Sequence, residues 1–487
     1  MITPTLEEAK RLSEGCTVVP IALEIFADRK TPIEILRCIR KQSGSCFILE
    51  SVNAADGWGR YTFLGYKPVL DVYGAGSSVI VKNGMNETEE QRSPAAAVRE
   101  LISQYKSPRV PGLPPFTGGF TGYFAYDFVR HFMPGLTLHA ENKENFRDFH
   151  LMLIDKLIAF DHFKQMIYII VNIPAQNLES SYIDGVTRLK DIERAIFGRE
   201  TPYEEEPSSC GEFTPEFTEA QFEKKIEGVK RHIVEGDIFQ AVLSNRFKAP
   251  FHGGLLNTYR ILRTINPSPY MVYMRLDDME IACSSPETLV SLRGGEISSF
   301  PLAGTCPRGE TEDEDAALEE ALLKDEKELA EHDMLVDLAR NDIGKTSRYG
   351  SVHVREYRQI KRFSRVSHIS SRVTGEAREG VDALDVIAAA LPAGTLSGAP
   401  KKRACEIIDE AEGVKRGVYG GAIGYIDFAG NMDMCIGIRM AVLKGGTVYV
   451  QSGAGIVADS VPEKEYRETL NKARAIMEAL KNCGEVL

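Results

Sequence analysis

Apolar runs of strand length follow one another along much of this chain without a helix between them, and that order narrows the fold more than any other feature. "LIDKLIAFDHFKQMIYIIVNI" (153–173) sets two β-branched, aromatic-rich runs either side of the polar "DHFKQ" and reads as a hairpin. "YMVYMRLDDMEIACSS" reads as strand, turn and strand, and "SCFILESV" (45–52) and "IFQAVLSNRF" as further strands. Strands joined this closely pair antiparallel, whereas a doubly wound parallel sheet needs a helix after each strand. The expected fold class is therefore α+β with antiparallel sheets. Helices are expected at "PAAAVRELISQYK" (94–106) and at "TEAQFEKKIEGVKRHIVEGD". In the second, Thr218 and Gln221 have capping-box spacing and Phe222, Ile226, Val229 and Ile233 recur at helical intervals. "VDALDVIAAALPAG" reads as a helix stopped by Pro392 and Gly394.

An acidic stretch rich in Pro, Ser and Gly divides the chain. The reading is an N-terminal α/β part over 1–200, a linker over 201–214 and a larger unit over 215–487. The 58 Lys and Arg against 70 Asp and Glu give a net charge of −12, which argues against nucleic acid or an anionic membrane as partner. An anionic substrate would then need a locally positive pocket or a metal. The nine cysteines are scattered, with no Cys-x-x-Cys pair, which favours reduced thiols. With no signal-peptide pattern at the start and no apolar run of spanning length, a cytoplasmic protein is expected.

Two C-terminal helices carry glutamates three apart, Glu328 and Glu331 in "DEKELAEHDMLVDLARND" and Glu465 and Glu468 in "SVPEKEYRETLNKARAIMEAL". Residues at that spacing share a helix face, so each helix can aim two carboxylates at one point. The second helix is expected to open at Ser460, with Pro462 in its first turn and Glu463 at capping-box distance. Solvated acidic faces would be the ordinary reading of either helix alone. Just before the second, however, "SGAG" reads as a bare-backbone loop suited to an anion, and a bridging cation would reconcile it with the carboxylates. Mg²⁺ prefers oxygen ligands and is commonly held by one or two carboxylates plus the oxygens of its anionic partner. One glutamate from each helix could hold it against a substrate whose other oxygens meet the amides of Gly453 to Gly455. "GAGIVA" has the form of a dinucleotide fingerprint but reads as a chance match, with 29 residues after it where a half-domain would need more. "GKT" (344–346) follows a helix and lacks the first glycine of a phosphate loop.

"FPLAGTCPRG" (300–309), "DEKELAEHDMLVDLARNDIGK" (325–345), "LPAGTLSGAPKKRACEIIDEAEG" (391–413), "RGVYGGAIGY" (416–425) and "SGAGIVADSVPEKEYRETLNKARA" (452–475) occur in this order. Together they resemble the signatures of the chorismate-utilising enzymes, most closely the anthranilate-forming branch. The resemblance implies two packed antiparallel sheets flanked by helices. It also implies amination of chorismate at C2 with loss of the C4 hydroxyl, then elimination of pyruvate. Glu331 and Glu468 match Mg²⁺ ligands, with Glu328 and Glu465 close by. Glu287 matches the acid that protonates the departing hydroxyl, a role needing a raised pKa. His368 matches a histidine linked to pyruvate loss, although a lone strand histidine is ordinarily a satisfied core residue. Gly304, Thr305, Thr395, Tyr419, Arg439, Gly453, Ala454, Gly455 and Lys472 match substrate contacts, Thr305 also standing among the catalytic residues.

Relatives that form aminodeoxychorismate through a covalent lysine carry that lysine where this chain has Ala303. Relatives that activate water carry a lysine base where it has Gln240. Ammonia is thus the implied nucleophile, supplied by a separate glutamine amidotransferase, since no cysteine here sits in an amidotransferase elbow. A heterotetramer of two large and two small subunits is expected. Glu50, Ser51, Pro269, Tyr270 and Met271 match a site for inhibitory tryptophan, in a segment, "FILESVNAADGWGRYTFLG" (47–65), where Trp58 would wall the pocket. The alternatives are aminodeoxychorismate formation, a catalytically silent tryptophan-binding regulator and, least favoured, a nucleotide-binding oxidoreductase.

Overall fold

The run "CFILE" becomes the strand Cys46–Glu50, with all five residues buried. Phe47 and Leu49 enter one apolar cluster, Cys46 and Ile48 another. Successive strand side chains point to opposite faces, so such a strand needs an apolar layer on each side. In the computed structural model of the chain, which describes residues 2–51, 58–198, 206–362 and 366–485, those layers are a second sheet and a set of helices.

Among the described residues the strands form two large antiparallel sheets, of fourteen and twelve strands. In the first, Cys46–Glu50 pairs with Tyr270–Arg275, Glu50 lying opposite Met271. In the second, Gly119–Phe124 pairs with Ala422–Asp427. Segments from before residue 200 and after residue 215 therefore contribute to both sheets. Between the sheets, Phe47, Met274 and Ile281 of the first meet Tyr123, Ile154 and Ile423 of the second. Helices cover the outer faces through Ile35, Leu189, Ile476 and Leu480 on one side and Val336, Ala339, Ile343 and Ile387 on the other. This is the expected α+β architecture. No helix among the described residues is long and apolar enough to cross a membrane.

Local signals were realised where they were strongest. Lys156–Asp161 and Met166–Pro174 form the hairpin around "DHFKQ". Thr218 and Gln221 make both halves of the capping box, over a helix that buries Phe222, Ile226 and Val229. The helix Ala383–Ala390 ends just before Pro392. Of the expected linker, 201–205 lie outside the described residues, while Ser209–Cys210 and Thr214–Pro215 pair with the strand Gln240–His252.

Two local expectations are corrected. Gly453 to Gly455 do not form a loop; they lie inside the strand Thr447–Ile456, opposite Ser244, Leu243 and Val242. Glycine disfavours strands, hence the loop reading, but here a side chain has no room. A Cβ on Gly453 would sit 2.8 Å from the Leu243 carbonyl oxygen and 3.1 Å from Tyr419 Oη, and one on Gly455 would sit 3.0 Å from Gln240 Nε2. The C-terminal helix Pro462–Lys481 is preceded by Val461 at its cap rather than opening at Ser460. The Ser460 hydroxyl instead accepts from the Val457 amide at 3.1 Å.

Candidate active site

Two neighbouring connections between the sheets place the central residues. The chain leaves the first sheet at Ser285, passes Pro286 and Glu287, and enters the second at Thr288. Close by it returns from the strand Met432–Ile436 of the second sheet to Met440–Lys444 of the first, through Gly437 to Arg439. Backbone bonds lock both connections: Ile436 N–H donates to Glu287 O and Ser284 N–H to Arg439 O, each at 3.0 Å. Arg439 takes a left-handed φ of 52°, uncommon for a residue with a side chain and found where the surroundings enforce it.

Glu287 lines a cleft with Thr395 and apolar residues including Leu335, Leu338 and Ala393. Burial pushes its carboxyl up to about 7; the Thr395 hydroxyl, donating to Oε1 at 3.0 Å, and the charge of Lys472 pull the other way. A carboxyl poised there keeps a proton for transfer near neutral pH. Thr395, expected as a substrate contact, is thus also the hydrogen-bond partner of Glu287.

Thr305 and His368 stand opposite each other in adjacent strands. The register shifts between Ala303 and Thr305, and Gly304 there has a φ of 68°. A glycine in this conformation builds a bulge that re-aims the residue after it. His368 Nδ1 lies 3.0 Å from Thr305 Oγ1 and 3.1 Å from the Gly304 carbonyl oxygen. A carbonyl can only accept, so Nδ1 carries the proton and Nε2 has the lone pair. Burial pulls the imidazole pKa down, which keeps it neutral and able to act as a base.

Arg439 donates to the Lys472 carbonyl at 2.7 Å, and its charge is felt at both Tyr419 and His368. Burial pulls its guanidinium down and drives the Tyr419 phenol up. Lys472 Nζ donates to the Gly453 carbonyl at 3.0 Å and pairs with Glu468 at 2.5 Å. In an antiparallel ladder the N–H and C=O of one residue point the same way. The Gly453 amide therefore faces the side where Lys472 lies, away from Gln240–His252. Ala454 is fully buried within that strand.

The four glutamates lie on the helices Glu326–Gly344 and Pro462–Lys481 as spaced in the sequence. Glu331 and Glu468 are exposed, while Glu328 and Glu465 are half-buried. Burial first, and neighbouring carboxylates second, raise the pKa of Glu328; burial likewise raises that of Glu465. The charge of Lys327, on the first helix, acts on Glu465 of the second, so their first turns approach each other. All four offer carboxylate oxygens, the donor type Mg²⁺ takes, but no three of them bring ligand atoms within 4.8 Å of one another, and Glu468 is paired with Lys472. Among the described residues, the tight group of potential metal ligands lies elsewhere, at His232, Glu235 and Asp237, where Arg403 already pairs with Asp237.

Glu50, Ser51, Pro269, Tyr270 and Met271 all line a second pocket, with Tyr61, Phe63 and Arg293. The Ser51 hydroxyl is buried there with no hydrogen-bond partner among the described residues. Glu50 is not an open carboxylate: Arg263 binds both its oxygens, at 2.5 and 3.1 Å, and Tyr259 donates to Oε1. The Trp58 side chain falls outside the described residues.

Sequence reading missed a buried pair beneath the site, Glu412 and Arg416. Their i,i+4 spacing was the available signal, but the left-handed Gly413 that ends the helix Lys401–Glu412 hid it.

Residues 51–478 match the chorismate binding enzyme family. The chain is 44% identical to the anthranilate synthase component 1 of Acetivibrio thermocellus, across 100% of both chains. It is 42% identical to that of Aquifex aeolicus over 99% of this chain and 98% of that one. The crystal structure of anthranilate synthase component I from Streptococcus pneumoniae superposes with a TM-score of 0.76 at 37% identity, covering 88% of this chain and 93% of that one. The menaquinone-specific isochorismate synthase of Escherichia coli shares the fold, with a TM-score of 0.70 at 19% identity over 98% and 99% of the two chains. The chain belongs to the chorismate binding enzyme family, alongside proteins named anthranilate synthase component 1.

Proposed function

We propose that the chain is the large component of an anthranilate synthase, converting chorismate and ammonia to anthranilate and pyruvate. Full-length identity to proteins of that name supports the reading. The observation that carries it is chemical: the positions where lysine would change the nucleophile hold Ala303 and Gln240. Ala303 is buried one residue before the Gly304 bulge. Gln240 lies against Gly455. Neither residue can form a covalent amine or activate water, which leaves ammonia as the attacking group.

In this reading Glu287 hands its proton to the C4 hydroxyl as the C–O bond breaks and ammonia bonds to C2, releasing water. His368 Nε2 then takes the C2 proton as the C3–O bond breaks and the ring becomes aromatic; the departing enolpyruvate gains a proton at its methylene carbon to give pyruvate. Arg439 can grip a substrate carboxylate through two N–H groups. Thr305, Tyr419 and the amides of Gly453 and Gly455 orient the rest of the substrate. Glu331 and Glu468, with Glu328 and Glu465 close by, would hold Mg²⁺, which when bound supplies positive charge opposite an anionic substrate.

Ammonia is mostly protonated at neutral pH, so a glutamine amidotransferase partner is part of the proposal, as are a heterotetramer and a cytoplasmic setting in tryptophan biosynthesis. The second cavity is proposed as the site of feedback tryptophan. Pro269 and Met271 can hold an indole, and the unpartnered Ser51 hydroxyl invites a polar ligand atom. Glu50 would share its carboxylate between Arg263 and the ligand amine.

The test is to incubate the purified chain with chorismate, Mg²⁺ and ammonium at alkaline pH and identify the product by fluorescence and mass. Anthranilate with an equal amount of pyruvate is expected. Accumulation of aminodeoxychorismate would favour the folate-pathway alternative, and no turnover would contradict both.

A further inference from the structure

Arg416 is 3% exposed and Glu412 4%, and together they join four pieces of chain around the site. The guanidinium donates twice to the Glu412 carboxylate, Nε to Oε2 at 2.8 Å and Nη2 to Oε1 at 2.6 Å. Nη2 also donates to the Val242 carbonyl at 2.6 Å, and Nη1 to the Leu396 carbonyl at 2.7 Å. Its planar group lies 4.5 Å from the ring of Tyr126 and 5.8 Å from that of Tyr419. Glu412 Oε1 in turn accepts from the amide and hydroxyl of Ser244, the residue opposite Gly453.

Leu396 closes the short turn Gly394–Leu396, whose middle residue, Thr395, donates to Glu287. The flanks of that turn have other anchors: Ser397 Oγ donates to the Ala393 carbonyl at 2.8 Å, and Val242 N–H to the Ser397 carbonyl at 2.7 Å. The bond from Arg416 grips the turn directly after Thr395. A surface arginine would not repay burial here. A rigid fork satisfied by one carboxylate and two carbonyls is suited to fixing the distance between the elements it bridges.

We propose that Glu412 and Arg416 are positioning residues, a buried clamp that holds the Gly394–Leu396 turn so that Thr395 stays hydrogen-bonded to Glu287. The proposal rests on Glu287 being the proton donor. It adds a control on that donor from residues that touch no reacting atom.

The test compares Arg416→Lys, Thr395→Val and the double variant in the full chain, by kcat at saturating chorismate, Mg²⁺ and ammonium and by amide hydrogen exchange at Leu396 and Ser397. Lysine keeps the charge opposite Glu412 but cannot reach both carbonyls. Each single variant is expected to lower kcat by about tenfold or more, and the double variant to fall within about threefold of the slower single, because residues acting through one another are not additive. Exchange at Leu396 and Ser397 should quicken in Arg416→Lys. Losses that multiply, or exchange unchanged in Arg416→Lys, would overturn the clamp. If Arg416→Lys does not fold, Glu412→Gln, which keeps the shape and the acceptor oxygen, takes its place with the same expected directions. The exchange measurement decides the clamp even if wild type yields no aminated product, an outcome that would instead refute the proposed function.

Discussion

Glu287 shows how one environment trades stability for reactivity. Burial lifts its carboxyl from 4.5 to about 7. Between those values the folded chain holds a proton that the unfolded chain has released, so stability falls as pH rises through that window. The cost of ionising it is up to about 3 kcal/mol, the free energy of that shift. Glu287→Gln removes the titration. Urea melts should show the variant gaining on wild type between pH 5 and pH 8 while its activity is lost; a pH-independent difference would refute the shift. The sequence alone offered Glu287 as a motif match. That its proton is retained depends on burial among Leu335, Leu338 and Ala393 outweighing the opposing pull of Thr395 and Lys472, a balance that only the fold assembles.

At the level of elements, the Gly304 bulge is the device that turns a strand residue towards His368. With φ at 68° and the Ile369 Cδ1 atom 3.0 Å from a new Cβ, Gly304→Ala is strained on two counts. It should cost about 1–2 kcal/mol in urea unfolding, the penalty of left-handed backbone for a residue with a side chain, and lower kcat by loosening Thr305 from His368. Unchanged stability and rate would show that the bulge has no such role. Signals carried by neighbouring residues were legible at this scale: the Thr218 capping box, the "DHFKQ" hairpin and the two glutamate-bearing helices all formed where their spacing placed them. The Gly453–Gly455 strand and the cap of the C-terminal helix were misread. What decides them is the close approach of Tyr419 and Gln240 and the bond from Val457 to Ser460, none of which local sequence records.

Across the whole molecule the decisive contacts are long-range. Glu50 meets Met271 only because strands over two hundred residues apart are paired, and that pairing closes the second cavity. Nothing in "FILES" alone distinguishes a cavity wall from an ordinary core strand; family resemblance supplied the link. Filling the cavity with Ser51→Phe should weaken tryptophan binding, read by calorimetry, at least tenfold, about 1.4 kcal/mol, while anthranilate formation without tryptophan persists. Tryptophan and chorismate should also weaken each other's binding by equal factors, as linkage requires. The central claim, a proton kept on Glu287 for the departing hydroxyl, is tested most directly on the intact chain by kcat/KM for chorismate against pH, with unprotonated ammonia and Mg²⁺ held constant. The account predicts a decline above about pH 7, as Glu287 loses its proton, and loss of the profile's alkaline limb with most of the activity in Glu287→Gln. A rate constant flat to pH 9, or a glutamine variant as fast as wild type, would contradict it.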